Sequence, residues 1–178
     1  MATKTWIAFF SQTGGEIADI AESLNRWPDR IITNERPENL RNIDPRIVKK
    51  GYFTLSNKPT LEEYEDTLVY FPEALITLHG WLRIMPPSIC EKFNIYNGHP
   101  GLITEYPELK GKDPQVRAFE GNYDTIGCVL HRVTEGVDEG KILMAEEVNA
   151  FELELDDIFR ILGDRSLYMW INFLEENL

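Results

Sequence analysis

The chain has 178 residues, of which 43% are hydrophobic, and it carries a net charge of −12. It is long enough to bury one hydrophobic core, so we predict a single domain over residues 1–178. No segment approaches the roughly 20 consecutive apolar residues of a membrane span. A surface this acidic repels phosphate backbones, which argues against a large nucleic-acid interface. We expect a cytoplasmic protein, since the N-terminus lacks the basic and apolar pattern of a secretory signal.

The two cysteines, Cys90 and Cys128, are too far apart to suggest a close-spaced metal motif. A zinc site would require a denser cluster of cysteine and histidine, so we expect no metal. Cys128 lies within an apolar run and is predicted to be a small buried residue.

The N-terminal part of the chain predicts a strand, a turn and a helix. Residues 5–10 form a continuous apolar run, which is typical of a strand buried on both faces. Residues 11–15 form a small, glycine-containing turn. Apolar residues then recur at helical spacing from Ile17 to Leu24, and Pro28 marks the end of this helix. Residues 30–33 are predicted to be the second strand of a βαβ unit.

The next region is less regular. Residues 34–50 are predicted to be a loop with at most one helical turn, because Pro37 and Pro45 interrupt them. Residues 52–55 suggest a short strand. Thr60 and Glu63 have the spacing of a reciprocal helix cap. The stripe that this helix is predicted to bury consists of Leu61, Tyr64, Leu68 and Phe71.

Strands and helices continue to alternate to the end of the chain. Strands are predicted over 74–78, 93–96, 125–133 and 142–148, and an amphipathic helix over 155–173. Two further helices are predicted to open at Pro86–Pro87 and at Asp113–Pro114, where Asp113 would be the N-cap. This alternation predicts an α/β fold, with a Rossmann-like, mostly parallel twisted sheet and helices on both faces. Ligands of such sheets bind at the carboxyl ends of the strands.

Three polar residues stand near predicted strand ends. Asn97 and His99 are one residue apart, so on an extended segment their side chains point the same way. Gly98 would allow a ligand to approach the backbone. An amide and an imidazolium aimed at one point suit a developing oxyanion, and a carboxylate such as Asp138 would raise the histidine pKa. Alternatively, Asn97 and Asp138 are turn residues and His99 is a loop histidine.

The segment around Asn97 and His99 resembles the active-site segment of the folate-dependent formyltransferases. Two further blocks follow the same family pattern, one at Gly80–Met85 and one at 127–142. By pattern, the chain is most similar to the glycinamide ribonucleotide formyltransferases. The similarity spans residues 5–170 in order and is weak over 30–70. The matching residues downstream of Asn97 are Gly98, His99, Pro100, Gly101, Leu102, Tyr106, Pro107, Leu109, Gly111, Ala118, Gly127, His131, Val133, Asp138, Gly140 and Ile142.

This resemblance implies a formyl transfer from 10-formyltetrahydrofolate to an amine, without a metal. Protonated His99 would stabilise the oxyanion, and Asn97 would donate a second hydrogen bond to it. Asp138 would polarise His99 and position a water that relays the proton. His131 is equally compatible with a core histidine and with a ligand contact, whereas His79 is expected to be structural.

The resemblance also implies where the folate binds. Leu82, Arg83, Ile84 and Met85 would form one side of the pocket. The loop that precedes Asp138 would close the other side, through Val133, Thr134, Glu135, Gly136 and Val137. Without the motif, Arg83 would be interpreted as a surface arginine.

By the same resemblance, the small-molecule amine acceptor would contact the turn after the first strand. Ser11, Thr13, Gly14, Gly15 and Glu16 are the residues concerned. Related enzymes bind phosphate at a similar turn through backbone amides. Here, Glu16 replaces an amide side chain, and a carboxylate disfavours a phosphate. Glu16 is otherwise a good residue for the first turn of a helix.

Two other functions remain compatible with these residues. A hydrolase would release formate from the same folate with water in place of the amine, although such enzymes normally carry a regulatory domain that we do not recognise here. A catalytically silent α/β domain that binds folate or a nucleotide is the other alternative. The chain is also shorter than expected for the family, chiefly in its acceptor-binding half and at its C-terminus. The sequence does not predict the oligomeric state.

Overall fold

The computed structural model of the protein describes residues 4–34 and 42–178. A seven-stranded sheet in the order β3-β2-β1-β4-β5-β6-β7 forms its centre. The strands are β1 (Trp6–Phe10), β2 (Arg30–Asn34), β3 (Phe53–Leu55), β4 (Leu75–His79), β5 (Asn94–His99), β6 (Thr125–Arg132) and β7 (Ile142–Asn149). The helices are α1 (Gly15–Ser23), α2 (Pro45–Lys50), α3 (Leu61–Leu68), α4 (Pro87–Lys92), α5 (Pro114–Glu120) and α6 (Leu155–Asn177).

The first five strands are parallel, and the last two run antiparallel to their neighbours. Strand β1 is buried along its whole length, which explains its unbroken apolar sequence. Its residues alternate between two cores: Trp6 and Phe10 pack with α1 and α6, whereas Ile7 and Phe9 pack with α3 and α4. Helices therefore cover both faces, and the predicted fold class is confirmed.

The sheet contains a switch point between β1 and β4. From β1 the chain moves outward through β2 and β3, and it then returns to place β4 on the other side of β1. The connections therefore leave β1 and β4 in opposite directions, which opens a crevice beyond their carboxyl ends. The turn between β1 and α1 and the end of β4 at His79 border this crevice.

The cap of α3 is as the sequence predicts, but its buried stripe is narrower. Thr60 accepts from the Glu63 backbone, and the Glu63 carboxylate accepts from the Thr60 N–H, which is the predicted reciprocal cap. Tyr64 and Leu68 are buried. Leu61, however, is 43% exposed, and Phe71 lies beyond the end of the helix. Phe71 nevertheless packs against the same core as Tyr64 and Leu68, so Leu61 is the member of the predicted stripe that does not.

Two other predictions about helix starts need correction. Within the predicted loop 34–50, residues 45–50 form α2, with Asp44 as a side-chain cap and Pro45 in the first turn. Residues 35–41 lie outside the described part. Asp113 does precede α5, but it adopts a left-handed conformation (φ 51°) and its side chain does not cap the helix. An aspartate before a proline thus precedes both α2 and α5, but its side chain caps only α2.

The last helix, α6, spans 23 residues and lies against β6 and α1. It buries Ile158, Leu162, Met169, Trp170, Phe173 and Leu174, whereas Phe159 and Tyr168 are among its exposed residues. Within residues 4–34 and 42–178, none of the helices combines the length and the apolar character needed to cross a membrane.

Candidate active site

The carboxyl end of β5 and the loop between β6 and β7 bring the predicted catalytic residues together. Asn97 lies opposite His131 in the antiparallel pairing of β5 with β6. Asp138 extends from the following loop and adopts a left-handed conformation (φ 53°), which is unusual for a residue other than glycine. Strained backbone of this kind costs on the order of 1 kcal/mol and is often found at functional sites.

Asp138 is the centre of a hydrogen-bonded group that we call the Asp138 hub: Asn97, His99, His131, Asp138 and Gly111. One carboxylate oxygen lies 3.2 Å from His131 Nε2 and 3.5 Å from Asn97 Nδ2. The other lies 3.2 Å from His99 Nδ1 and accepts from the Gly111 N–H at 2.9 Å. The side chain is only 10% exposed. Burial opposes its ionisation, but these neighbours outweigh burial and lower the pKa of Asp138.

The structure contradicts the expectation that the pKa of His99 is raised. His99 is buried, and burial lowers its pKa even though the Asp138 charge opposes this effect. Its second ring nitrogen, Nε2, lies 2.9 Å from the Leu109 carbonyl oxygen. Both ring nitrogens therefore lie near acceptors, although burial disfavours the charged ring that would donate to both.

His131 belongs to the hub, although the residue pattern alone did not assign it a role. It is buried, its Nδ1 donates to the Arg132 carbonyl oxygen at 2.9 Å, and its Nε2 lies 3.2 Å from Asn97 Nδ2. It thus fixes the orientation of the Asn97 amide. The signal available in the sequence was the alternation of side chains along β6. It places His131 on the same face as Val129, and Val129 is the residue that pairs with His99.

The close approach at Gly98 is made by the protein itself and not by a ligand. A Cβ atom at this position would lie 2.9 Å from Trp170 Nε1 and 3.5 Å from Ser166 Oγ. Gly98 therefore allows α6 to pack directly on β5. Asn97 and His99 point to the opposite side of the sheet from this contact.

The residues predicted to bind folate lie on the loops that follow β4 and β6. Leu82, Ile84 and Val137 expose apolar side chains, with Ile84 70% exposed, whereas Met85 is buried. Arg83 donates to the Asn57 backbone and side-chain oxygens at 2.7 Å, so its guanidinium joins two loops. Val133 packs partly into the core. Thr134 and Glu135 are exposed, and Gly136 is half-buried.

Part of the predicted acceptor turn is hydrogen-bonded to other segments of the protein. Ser11 is buried, donates to Asn34 Oδ1 at 2.9 Å and accepts from the Leu82 N–H at 3.0 Å. Thr13 is exposed and accepts from the Gly15 N–H. Gly14 has a φ of 74°, and a Cβ atom there would crowd the Phe10 and Ile47 side chains. Of the two hydroxyls, only that of Thr13 is turned to solvent.

Glu16 spans the crevice and forms what we call the Glu16 cluster with His79, Ser166 and Trp170. Its carboxylate accepts from His79 Nδ1 at 2.7 Å and from Ser166 Oγ at 2.8 Å. His79 Nε2 in turn lies 2.8 Å from Thr77 Oγ1. Burial opposes ionisation, but the His79 and Ser166 contacts outweigh it and lower the pKa of Glu16. His79 is therefore structural, as expected, but its partner is a predicted acceptor-binding residue.

A cavity of about 310 Å³ opens elsewhere, between α5 and the loop before α6. Phe119, Tyr123 and Phe151 are among the residues that line it, and none of the predicted site residues does. Within the described part of the chain, no group of three or more His, Cys, Asp and Glu side chains is arranged to hold a metal ion.

Comparisons with known proteins agree with the resemblance. The trifunctional purine biosynthetic protein adenosine-3 of Chironomus tentans is 38% identical over 80 residues, which are 44% of this chain and 6% of that protein. The mitochondrial formyltetrahydrofolate deformylase 2 of Arabidopsis thaliana is 27% identical over 146 residues, or 73% of this chain and 43% of that protein. The chain thus spans less than half the length of these relatives.

A solved structure shares the fold. The phosphoribosylglycinamide formyltransferase of Bacillus halodurans matches with a TM-score of 0.80 and 21% identity, over 97% of this chain and 94% of that one. The model of the formyl transferase family matches residues 28–160, which contain Asn97, His99, Asp138 and the strands that hold them. The family predicted from the motifs is confirmed, and the chain belongs to the formyl transferase family.

Proposed function

We propose that this protein is a cytoplasmic enzyme that transfers the formyl group of 10-formyltetrahydrofolate to a small amine. The observation that supports this most directly is the convergence of Asn97, His99 and Asp138 at the carboxyl edge of the sheet, although Asp138 is 41 residues from Asn97. An amide donor, an imidazole and a carboxylate within hydrogen-bonding range are the groups that acyl transfer to an amine requires.

The proposed reaction begins when the amine nitrogen attacks the formyl carbon. The carbonyl electron pair moves onto oxygen, where the Asn97 N–H and the His99 N–H stabilise the negative charge. Collapse of this intermediate re-forms the C=O bond and breaks the bond to the folate nitrogen. Asp138, through a water, accepts the proton of the attacking amine and returns it to the departing folate nitrogen.

His99 has to change its hydrogen bond to act in this way. In the structure Nε2 faces the Leu109 carbonyl oxygen, and Nδ1 faces Asp138. An oxyanion is a stronger acceptor than a carbonyl, so it would replace Leu109 as the partner of Nε2. Asp138 would hold the proton on Nδ1, so Nε2 can donate only when the ring carries a second proton, and His99 would take up that proton from solvent before it stabilises the oxyanion.

The loops around the hub fit a folate. The exposed apolar side chains of Leu82, Ile84 and Val137 can cover a flat ring, and such lining with a few polar groups is typical of small-molecule sites. Arg83, Met85 and the 133–137 loop would complete this part of the site. The turn with Ser11, Thr13, Gly14, Gly15 and Glu16 would receive the acceptor, with glycinamide ribonucleotide or a related small amine as the starting candidates.

The experiment follows the ultraviolet change that accompanies release of the free folate from its formyl form. Turnover that requires an amine would support a transferase. Turnover without any amine would instead indicate a hydrolase. This is the second candidate function, because the Arabidopsis relative is named a deformylase. Tight binding of the formyl-folate without turnover in either arm would contradict both and indicate a silent binding domain.

A further inference from the structure

We infer that the acceptor part of this site is built for an uncharged or cationic group and against phosphate, with Glu16 as the residue that makes the selection. The inference rests on the proposed function, because it concerns the amine that accepts the formyl group. It predicts an acceptor whose end remote from the reacting amine carries hydroxyl or ammonium donors.

The first argument is the position of the carboxylate. Glu16 lies in the first turn of α1, immediately after β1, and it bonds to His79 at the end of β4. The carboxyl ends of β1 and β4 border the switch point, where a ligand of this type of sheet is expected. The Glu16 side chain is 31% exposed and is therefore not sealed inside the fold.

The second argument is the hydrogen-bonding capacity that remains. An ionised carboxylate accepts about four hydrogen bonds. His79 and Ser166 supply two, and the buried indole N–H of Trp170, which has no regular partner among the described residues, lies beside Glu16 as a third donor. These donors hold Glu16 ionised and leave acceptor capacity for a ligand. A donor group satisfies this capacity, whereas a phosphate oxygen does not.

The charges of the described residues near Glu16 do not reverse its preference for a donor group over a phosphate. Asp44 lies next to the turn, with Oδ2 3.6 Å from the Cβ position of Gly15. Arg46 contacts Asp44, Asp19 and Glu22 at 2.7–2.9 Å and is therefore shared by three carboxylates. Its charge is used to hold α2 on α1. Among the residues that the structure describes, the carboxylates around Arg46 thus outnumber its single positive charge, which works against the helix dipole that alone would favour an anion.

The third argument links Glu16 to the reaction centre. Ser166 Oγ, which donates to Glu16, lies 3.5 Å from the Cβ position of Gly98. Gly98 separates Asn97 from His99, so a single side chain lies between the Glu16 carboxylate and the strand that carries both proposed oxyanion donors. Asn97 and His99 point to the other face of β5, so an acceptor that contacts Glu16 has to reach the formyl group around the carboxyl end of this strand.

The test uses two acceptors that differ only in phosphate: glycinamide ribonucleotide and the corresponding dephosphorylated ribonucleoside. For the unmodified protein we expect kcat/KM to favour the ribonucleoside by about tenfold or more, the order expected of one hydrogen bond to a charged group. Glu16→Gln keeps the size of the side chain and removes its charge. In this variant the preference should fall to near unity or reverse, with the KM for the formyl-folate unchanged.

The matched control is Glu22→Gln, which removes a carboxylate from an exposed position of the same helix. It should leave the ratio between the two acceptors within about twofold of the unmodified protein, since distant surface charges interact weakly. The inference is wrong if the unmodified protein uses the ribonucleotide at least as well as the ribonucleoside, or if Glu16→Gln lowers kcat/KM for both acceptors equally.

A binding measurement separates this inference from the proposed function. Inorganic phosphate at millimolar concentration should not raise the melting temperature of the unmodified protein, whereas it should raise that of Glu16→Gln. This readout needs no turnover. Stabilisation of the unmodified protein by phosphate would overturn the inference even if formyl transfer is observed. Absence of turnover with every amine would overturn the proposed function alone.

Discussion

The Asp138 hub and the Glu16 cluster lie at the same edge of the sheet, and each is a carboxylate bonded to a histidine. They differ in exposure and in partners. Asp138 is almost enclosed and contacts two histidines and an amide, whereas Glu16 is more exposed and is held by His79, a hydroxyl and an indole. The enclosed group suits proton transfer and the open one suits recognition. The predictions below test this division.

The largest effect is expected from Asp138→Asn. The amide keeps the shape and tolerates the left-handed backbone, but it cannot accept a proton or hold Nδ1 of His99 protonated. Turnover should fall by at least ~100-fold, with little change in thermal stability. Asp113→Asn is the control, because Asp113 is also left-handed (φ 51°) but lies on the surface. A loss of less than about fivefold at Asp138 would contradict its role.

A large loss of stability is expected from Gly140→Ala. The added Cβ would clash with the Arg132 carbonyl oxygen, so the backbone of the Asp138 loop would have to move. We expect a cost of about 1–3 kcal/mol or more in the free energy of unfolding, measured by urea denaturation. Gly163→Ala in α6 is the control: nothing lies near its Cβ position, and it should stabilise by about 0.5–1 kcal/mol. Equal effects at the two positions would contradict the crowding argument.

Acid should destabilise the protein through His99. Because the folded-state pKa of His99 is lowered, the unfolded chain binds more protons, and stability falls as the pH drops below the ordinary histidine value of 6.5. In His99→Gln, the urea midpoint should change less between pH 7 and pH 5.5 than it does in the unmodified protein.

Glu63→Gln is a control, because Glu63 should change the stability in a lower pH range than His99 does. The backbone and Ser56 hydrogen bonds lower the pKa of Glu63 to about 2, so its contribution is lost only below its ordinary value of 4.5. This variant should leave the dependence between pH 7 and pH 5.5 unchanged. If the urea midpoint of His99→Gln changed between pH 7 and pH 5.5 as much as that of the unmodified protein, burial of another group would be the cause of the acid sensitivity.

The smallest effect is expected from Ser166→Ala. It removes one of the hydrogen bonds that hold Glu16 and should cost about 0.5–1.5 kcal/mol. The KM for the acceptor should rise severalfold, while the KM for the formyl-folate stays the same. Ser23→Ala, at an exposed position of α1, is the control. If both KM values rose together, Ser166 would support the whole edge of the sheet and not the acceptor part.

The sequence predicted that Asn97, His99 and Asp138 belong together, but not the contacts of His131 and Gly111 or the electrostatics of the Asp138 hub. Asn97 and His99 share a short motif, and the family pattern supplied Asp138. The lowered pKa of His99 depends on burial, which is a tertiary property. The Glu16 cluster could not be predicted, because Ser166 is 150 residues from Glu16 and is one of several polar residues on a helix. By contrast, α2 was missed although Asp44–Pro45 carries the same start signal as Asp113–Pro114.

The contact of Trp170 with Gly98 has a consequence for how the protein is made. The strand that bears Asn97 and His99 is covered on its other face by a side chain that is synthesised more than 70 residues later. A nascent chain that stops short of this tryptophan has its motif complete and yet lacks the surface behind it. We therefore expect the proposed formyl transfer only after α6 has been synthesised and has docked on the sheet. A protein cut within α6 would lose this activity before it loses its sheet.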